Sequence, residues 1–389
     1  MSRSLCVVLV LLCLAAPAAA QTTRTETIAE QQAEKAKTLE PEGPSRAEQI
    51  GVRITSSFGR VPEGPYPWFG TIFPGGSFAL GAAYGRTLAP GRLVLTSAMS
   101  IEAYKLLSAE FTPRDLARGR VQTSMGAEWI DAPDVAFYGL GPDSIRHRSA
   151  YGYQPTTLRA SGTAQPVRFV EVSGAYNFLH TSTDEGKDIA GRFTPAQTPG
   201  LNTSLNYNVT SGSVAFDTRP NKGYSTHGMM VKGTWWRYDE RDRRPYSFSR
   251  TEYESGVLIP LVREQFGFML RGVATVSHPD EGEQVPIMLA SEIGSGRTVR
   301  GFHNRRFQDD ARVFINAEYR WRPSRYLDMA LFMDMGQVAP RLKDVRFDTL
   351  EHGWGIGSRF HGPSFMVLRI EVAKVRSGMN LIVSTSQPF

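Results

Sequence analysis

Hydrophobic and polar residues alternate most regularly between Val313 and Gly336. In the first run Val313, Ile315, Ala317, Tyr319 and Trp321 share one side, and Phe314, Asn316, Glu318 and Arg320 share the other. In the second, Leu327, Met329, Leu331, Met333 and Met335 form an apolar side opposite Asp328, Ala330, Phe332, Asp334 and Gly336. A period of two belongs to a β-strand, because successive Cβ atoms point to opposite faces. Arg322-Pro323-Ser324-Arg325 is short enough to join the two runs as a hairpin.

The same pattern recurs from Tyr66 to the end of the chain and never gives way to helical spacing. SFALGAAYGR, GRLVLTSAMS, SLNYNVTSGSVAFD, GMMVKGTWWRY, FGFMLRGVATVS and MNLIVSTSQPF are examples. Many such segments run about 8 to 12 residues, the length a tilted strand needs to cross a bilayer. Short turns (Ala89-Pro90-Gly91, His361-Gly362-Pro363) contrast with long polar stretches at Asp131–Ser149, Thr181–Leu205 and His278–Asp310. This inequality is the mark of a membrane barrel, and about 20 residues per strand and connection predicts an even number of strands near 16. The expected fold is all-β, a transmembrane antiparallel β-barrel over residues 61–389. Trp235-Trp236 and Tyr151 with Tyr153 are candidates for the aromatic girdles at the membrane interfaces.

The first 60 residues differ. Arg3, the apolar run Leu5–Leu14 and Pro17-Ala18-Ala19-Ala20 before Gln21 read as a signal peptide over residues 1–20. Both cysteines, Cys6 and Cys13, lie inside it, so the exported chain is expected to hold no disulfide and no thiol chemistry. Residues 21–60 form a polar periplasmic segment with a short helix expected over Glu26–Leu39, ended by Pro41 and Pro44. A plug for the barrel mouth is a second reading of that helix.

Composition narrows the chemistry. The formal charge of +6 is mild and its arginines are dispersed, which with export argues against nucleic acid. Loop arginines suit lipid phosphates. The seven histidines (His147, His180, His227, His278, His303, His352, His361) are scattered without metal-ligand spacing, and G-x-S-x-G is absent. Gly294-Ser295-Gly296 is not followed by a helix, and Asp309-Asp310 read as solvated loop charges. No cofactor, metal or catalytic residue is expected.

The chain ends with Met379, Leu381, Val383 and Thr385 on one face and a final Phe389. This ending resembles the signal by which outer-membrane barrels are inserted by the barrel assembly machinery. VRGF (Val299, Arg300, Gly301, Phe302), FINAEYRW (Phe314–Trp321) and FMDMG (Phe332–Gly336) occur in that order, with DTRP (Asp217–Pro220) and FYGLGPDS (Phe137–Ser144) before them. The set resembles the barrel of the BamA/TamA superfamily, the bacterial surface antigens, over most of residues 60–389.

That resemblance implies that the long VRGF loop folds into the lumen. There Arg300 would pair with Asp334 of F-x-D-x-G, which ends in Gly336, and with Glu318 on the preceding strand. Alternation independently places Glu318 and Asp334 on one side of adjacent strands, where a forked guanidinium can meet both. Gly301 would allow a tight turn and Phe302 would wedge against the wall, in a wet lumen that weakens the ion pairs. Fewer than 50 residues precede the barrel after the signal, too few for a POTRA domain, so the chain resembles the POTRA-less branch. The implied activity is insertion or translocation of a protein or lipid client at the bacterial outer membrane, by a monomer surrounded by outer-membrane lipid. A passive structural or pore-forming surface antigen is the alternative, and a lipolytic enzyme a more distant one.

Overall fold

The structure, a computed structural model, describes residues 62–384 apart from 115, 145–146, 187, 190 and 363–365. The signal peptide, the segment 21–60, Thr385 and Phe389 therefore lie outside the described residues. The strands are β1 (Gly64–Gly70), β2 (Ala79–Leu88), β3 (Gly91–Ser100), β4 (Lys105–Pro113), β5 (Val121–Phe137) and β6 (Ser149–Val167). β7 (Val170–Glu185), β8 (Ser204–Asp217), β9 (Gly228–Glu240), β10 (Phe248–Pro260) and β11 (Phe266–Pro279) follow. β12 (Ser291–Ile293) and β13 (Phe307–Asp309) pair only with each other, inside a long loop. β14 (Ala311–Ser324), β15 (Leu327–Ala339), β16 (Glu351–His361), β17 (Met366–Val375) and β18 (Gly378–Ser384) complete the chain.

All but β12 and β13 form one 16-stranded antiparallel sheet in chain order. β1 and β18 stand at its two ends, and among the described residues no ladder joins them. Along β14 and β15 the exposure follows the sequence pattern: Phe314, Asn316, Glu318 and Arg320 are buried on the inner face, as are Asp328, Ala330, Phe332 and Asp334. Leu331 and Met333 stay about half exposed on the outer face, at 49% and 47%. Large apolar side chains left open along one face of a sheet, with charges buried on the other, are the arrangement a lipid solvent selects.

Three sequence expectations change. Chain reversal occurs at Arg325-Tyr326 rather than over 322–325, because Ser324 still pairs with Leu327. The register shifts between Trp321 and Ser324; Pro323 has no N–H for the ladder, so the strand continues past it as a bulge. β5, β6 and β7 run 17, 19 and 16 residues, well beyond the membrane requirement. Their extra length carries Tyr151 and Tyr153 inward, 0% and 6% exposed, into a cluster with Tyr104, Phe137, Ile287 and Met288 instead of a girdle. Neighbouring strand residues also cannot face the same way: Trp235 points outward, and Trp236 packs on Leu205, Tyr207 and Val209.

Candidate functional site

The connection between β11 and β14 carries the site. It leaves β11 at Pro279, turns back through the β12–β13 ribbon and re-enters the sheet at Ala311. Its tip meets strands far from its own roots. At one side Gly141 N donates to Gln308 O at 2.8 Å, and Arg306 Nη1 donates to Ser144 Oγ at 2.5 Å, both in the connection between β5 and β6. At the other, Arg369 of β17 donates to Gly296 O at 2.8 Å and Asn380 of β18 donates to Gly301 O. A loop bonded to both regions lies across the inner face of a sheet that curls around it.

Arg300 is the centre of this arrangement and is 0% exposed. Its Nε and Nη2 donate to Asp334 Oδ2 and Oδ1 at 2.6 and 2.7 Å, a fork-to-fork pair, and its own backbone N–H donates to Oδ2 at 3.0 Å. Nη1 reaches Glu318 Oε1 at 2.5 Å and Glu371 Oε1 at 3.1 Å. The guanidinium also lies 3.7 Å from the centre of the Phe332 ring. Every donor thus faces an acceptor or a π cloud, the condition under which burying a charge is tolerable. The expected wet lumen is absent here: Arg300, Glu318, Asp334 and Glu371 all have side chains sealed from solvent.

The neighbours make this geometry possible. Val299, Phe302 and Phe307 pack with Val273, Ile293, Phe314, Val338 and Val375 in one apolar cluster beside the charges. Phe302 and Phe307 meet edge to face at 5.3 Å. Gly301 adopts φ of 96°, and a Cβ there would sit 2.7 Å from Val375 Cγ1. Opposite, a Cβ on Gly353 of β16 would fall 2.2 Å from Arg300 O, so the bare backbone of β16 is what lets the loop approach. Gly336 also faces inward, beneath Val299.

Three members were not among the expected site residues. Arg359 of β16 donates to Glu318 Oε1 at 2.6 Å and Glu371 Oε1 at 2.7 Å, and Arg369 stands 3.4 Å from Glu371 Oε2. All three are 0% exposed. Their sequence signal was available: charged residues at inward positions of strands whose other face is apolar, as in Arg369-Ile370-Glu371-Val372. Of the terminal residues, Met379, Leu381 and Val383 lie on the outer face at 64%, 66% and 61% exposure. Asp309 and Asp310 are not solvated charges. Asp309 is buried, and burial pushes both carboxyls up to about 6. His361 is likewise buried, against Tyr224 and Asp328.

Such a sheet, with a charged loop drawn into its concave side, defines an outer-membrane barrel with an inward-folded loop. Residues 108–379 match the model of the Omp85 superfamily domain, and the chain belongs to that superfamily. Among solved structures it is similar to BamA from Haemophilus ducreyi lacking POTRA domains 1–3, at 12% identity and a TM-score of 0.64, covering 84% of this chain and 71% of that one. CdiB from Acinetobacter baumannii is similar at 11% identity and a TM-score of 0.50, over 82% of this chain and 57% of that one. No curated protein sequence matches the chain. At these identities the structural likeness speaks to the barrel fold alone.

Proposed function

We propose that this barrel inserts or translocates a protein or lipid client at the bacterial outer membrane, with the VRGF loop locked inside by Arg300. The observation that carries the reading is where the lock attaches. Arg300 binds β14, β15 and β17 directly, and Arg359 adds β16, so the loop braces one flank of the wall. At the other end of the sheet β1 contains Pro65 and Pro67, neither of which can donate to a ladder. A braced flank beside a weakly paired edge suits a wall that parts sideways to admit a client. Export would follow removal of residues 1–20 and insertion by the barrel assembly machinery, and the barrel would work as a monomer without a catalytic step.

A passive pore is the second reading. It is favoured by a polar recess of about 90 Å³ on the inner face of β4, β5 and β6, lined by Ser108, Glu110, Ser124, Glu128 and Arg159. Purified protein in lipid vesicles and planar bilayers separates the two. Transfer of labelled lipid or assembly of a client barrel, with small flickering currents, is expected for the first reading. Large steady openings without either transfer overturn it in favour of the pore.

A further inference from the structure

The outward rows of the last strands change character at one level. Along β17 the outward side chains are Ile370, Val372 and Lys374, with Arg376 just past the strand, so an apolar row turns cationic in one step. On β16 the neighbouring row runs from Phe360 through Ile356 to Trp354, and the next outward residue is His352. Lys374 stands in register with Trp354 on one side and with Met379 of β18 on the other. A tryptophan closing an apolar row marks the membrane–water interface, and a lysine beside it lays its stem on the apolar layer and its charge among the headgroups. Because the strands alternate in direction, this end is shared with the long β5–β6, β7–β8 and β11–β14 connections. It is the extracellular end by the usual asymmetry of such barrels.

The connection between β15 and β16, residues 340–350, rises from the same rim. Gln337 of β15 pins it, accepting from Arg346 N at 2.7 Å and donating to Thr349 Oγ1 at 2.9 Å. Two short 3-10 turns, Leu342–Asp344 and Phe347–Thr349, stand open above that anchor. Phe347 is 74% exposed and Leu342 44%. Arg341, Lys343 and Arg346 are exposed in the same connection.

The acids nearby do not balance these cations. Residues 340–351 and 374–376 hold five cations (Arg341, Lys343, Arg346, Lys374, Arg376) and three carboxylates (Asp344, Asp348, Glu351), an excess of two positive charges. Arg341 donates to Asp344 at 2.8 Å, Arg346 to Asp348 at 3.0 Å, and Arg376 meets Glu351 at 2.5 Å. The first two are open pairs between near neighbours, which water and salt weaken. Lys343 and Lys374 form no ion pair with any described residue.

Open apolar side chains at the level where the wall turns cationic suit a lipid with an anionic head. A phosphate offers paired oxygens to a guanidinium and a full charge to an ammonium. We propose that residues 340–350, with Lys374 and Arg376, dock lipopolysaccharide of the outer leaflet through a phosphate of its lipid A. Phe347 and Leu342 enter the acyl layer beside that phosphate, and the two lysines supply the charge that the rim's own acids leave unmatched. The leaflet selects the source, since this end of the barrel meets the outer one. The proposal rests on the barrel fold and its orientation, and not on the transport reading.

The whole chain in detergent, titrated with bis-phosphorylated lipid A and read by native mass spectrometry, tests it. Replacing both lysines, Lys343→Gln with Lys374→Gln, is expected to weaken binding of the first lipid at least about fivefold. Lipid A stripped of its phosphates should bind the unaltered chain as weakly, and the double variant should lose little more with it. Arg243→Gln removes another exposed cation at the same end, between β9 and β10, and should leave the affinity unchanged. Equal affinity for lipid A with and without phosphates, full affinity in the double variant, or a matching loss in Arg243→Gln overturns the proposal. Phosphatidylglycerol bound as tightly as lipid A also overturns it, because the rim would then take any anionic lipid.

Discussion

Arg300 Nε sits 2.6 Å from Asp334 Oδ2, although 34 positions separate the two residues and an entire strand and loop intervene. The contact is bidentate, dry and shared with Glu318 and Glu371. Removing the cation from such a site leaves Asp334 buried with only the Asn316 amide beside it, while Glu318 and Glu371 keep Arg359. Loss of one partner of a buried pair costs about 3–5 kcal/mol.

Arg300→Ala is therefore expected to leave the barrel inserted but to free the loop, with residues 280–310 cut much faster by added protease and the folded band lost at a lower temperature in heat-dependent gel mobility. Arg300→Lys should resemble the alanine variant, because an ammonium cannot reproduce the fork to Asp334. A lysine variant with full protection would show that charge alone holds the loop.

Gly353→Ala addresses the same loop without touching a charge. Its added methyl would meet the backbone oxygen of Arg300 at 2.2 Å, which cannot swing aside as a side chain could, so the loop must retreat. Overpacking of this kind costs about 1–3 kcal/mol. Protease sensitivity should rise in the direction of Arg300→Ala while Asp334 and Glu318 remain intact. Normal protection in Gly353→Ala would mean that the close approach is not needed.

Asp309 and Asp310 make the loop respond to pH. Burial raises both carboxyls from 3.8 to about 6, with the Asp310 charge adding to the rise at Asp309 and Arg250 opposing it at Asp310. A folded-state value above the unfolded one means that the docked loop binds protons more tightly. Its contribution is complete below about pH 4 and is lost as pH climbs through about 6. Cleavage of the loop, scaled to a denatured substrate, should be slower near pH 4.5 than near pH 7.5. In Asp309→Asn that difference should shrink.

Leu331 tests the solvent on the outer face. It is 49% exposed on β15, opposite the inward Phe332 and close to the middle of the strand. An arginine on the lipid side of a barrel costs about 2–4 kcal/mol at the membrane midplane. Leu331→Arg should therefore lower the stability of protein folded into vesicles, measured by urea titration of tryptophan fluorescence. A change within about 0.5 kcal/mol, as at an ordinary water-facing site, would contradict the lipid-facing assignment.

Much of this was written in the alternation. The faces of β14 and β15, the inward pairing of Glu318 with Asp334 and a strand number near sixteen follow from a period of two and connection lengths. Arg359, Arg369 and Glu371 obeyed the same rule, yet single inward charges carry no label saying which loop they will meet. Tyr224 and His361 were less legible still. Neither lies in a patterned run with the other, and their contact depends on a turn reaching past three strands. The turn at Arg325-Tyr326 was misplaced because Pro323 looks like an end and is a bulge. Tyr151 and Tyr153 misled because an aromatic at a strand end serves a girdle or a core equally well, and only curvature decides between them.

One small bond ties the loop to the chain's last described strand: Asn380 of β18 donates to the Gly301 carbonyl, one residue from the arginine that grips β14, β15 and β17. The edge strand and the loop tip are therefore mechanically in series. Peeling β18 away must either snap that bond or tug the guanidinium from its acids, so strain applied at the rim would register deep inside the cylinder.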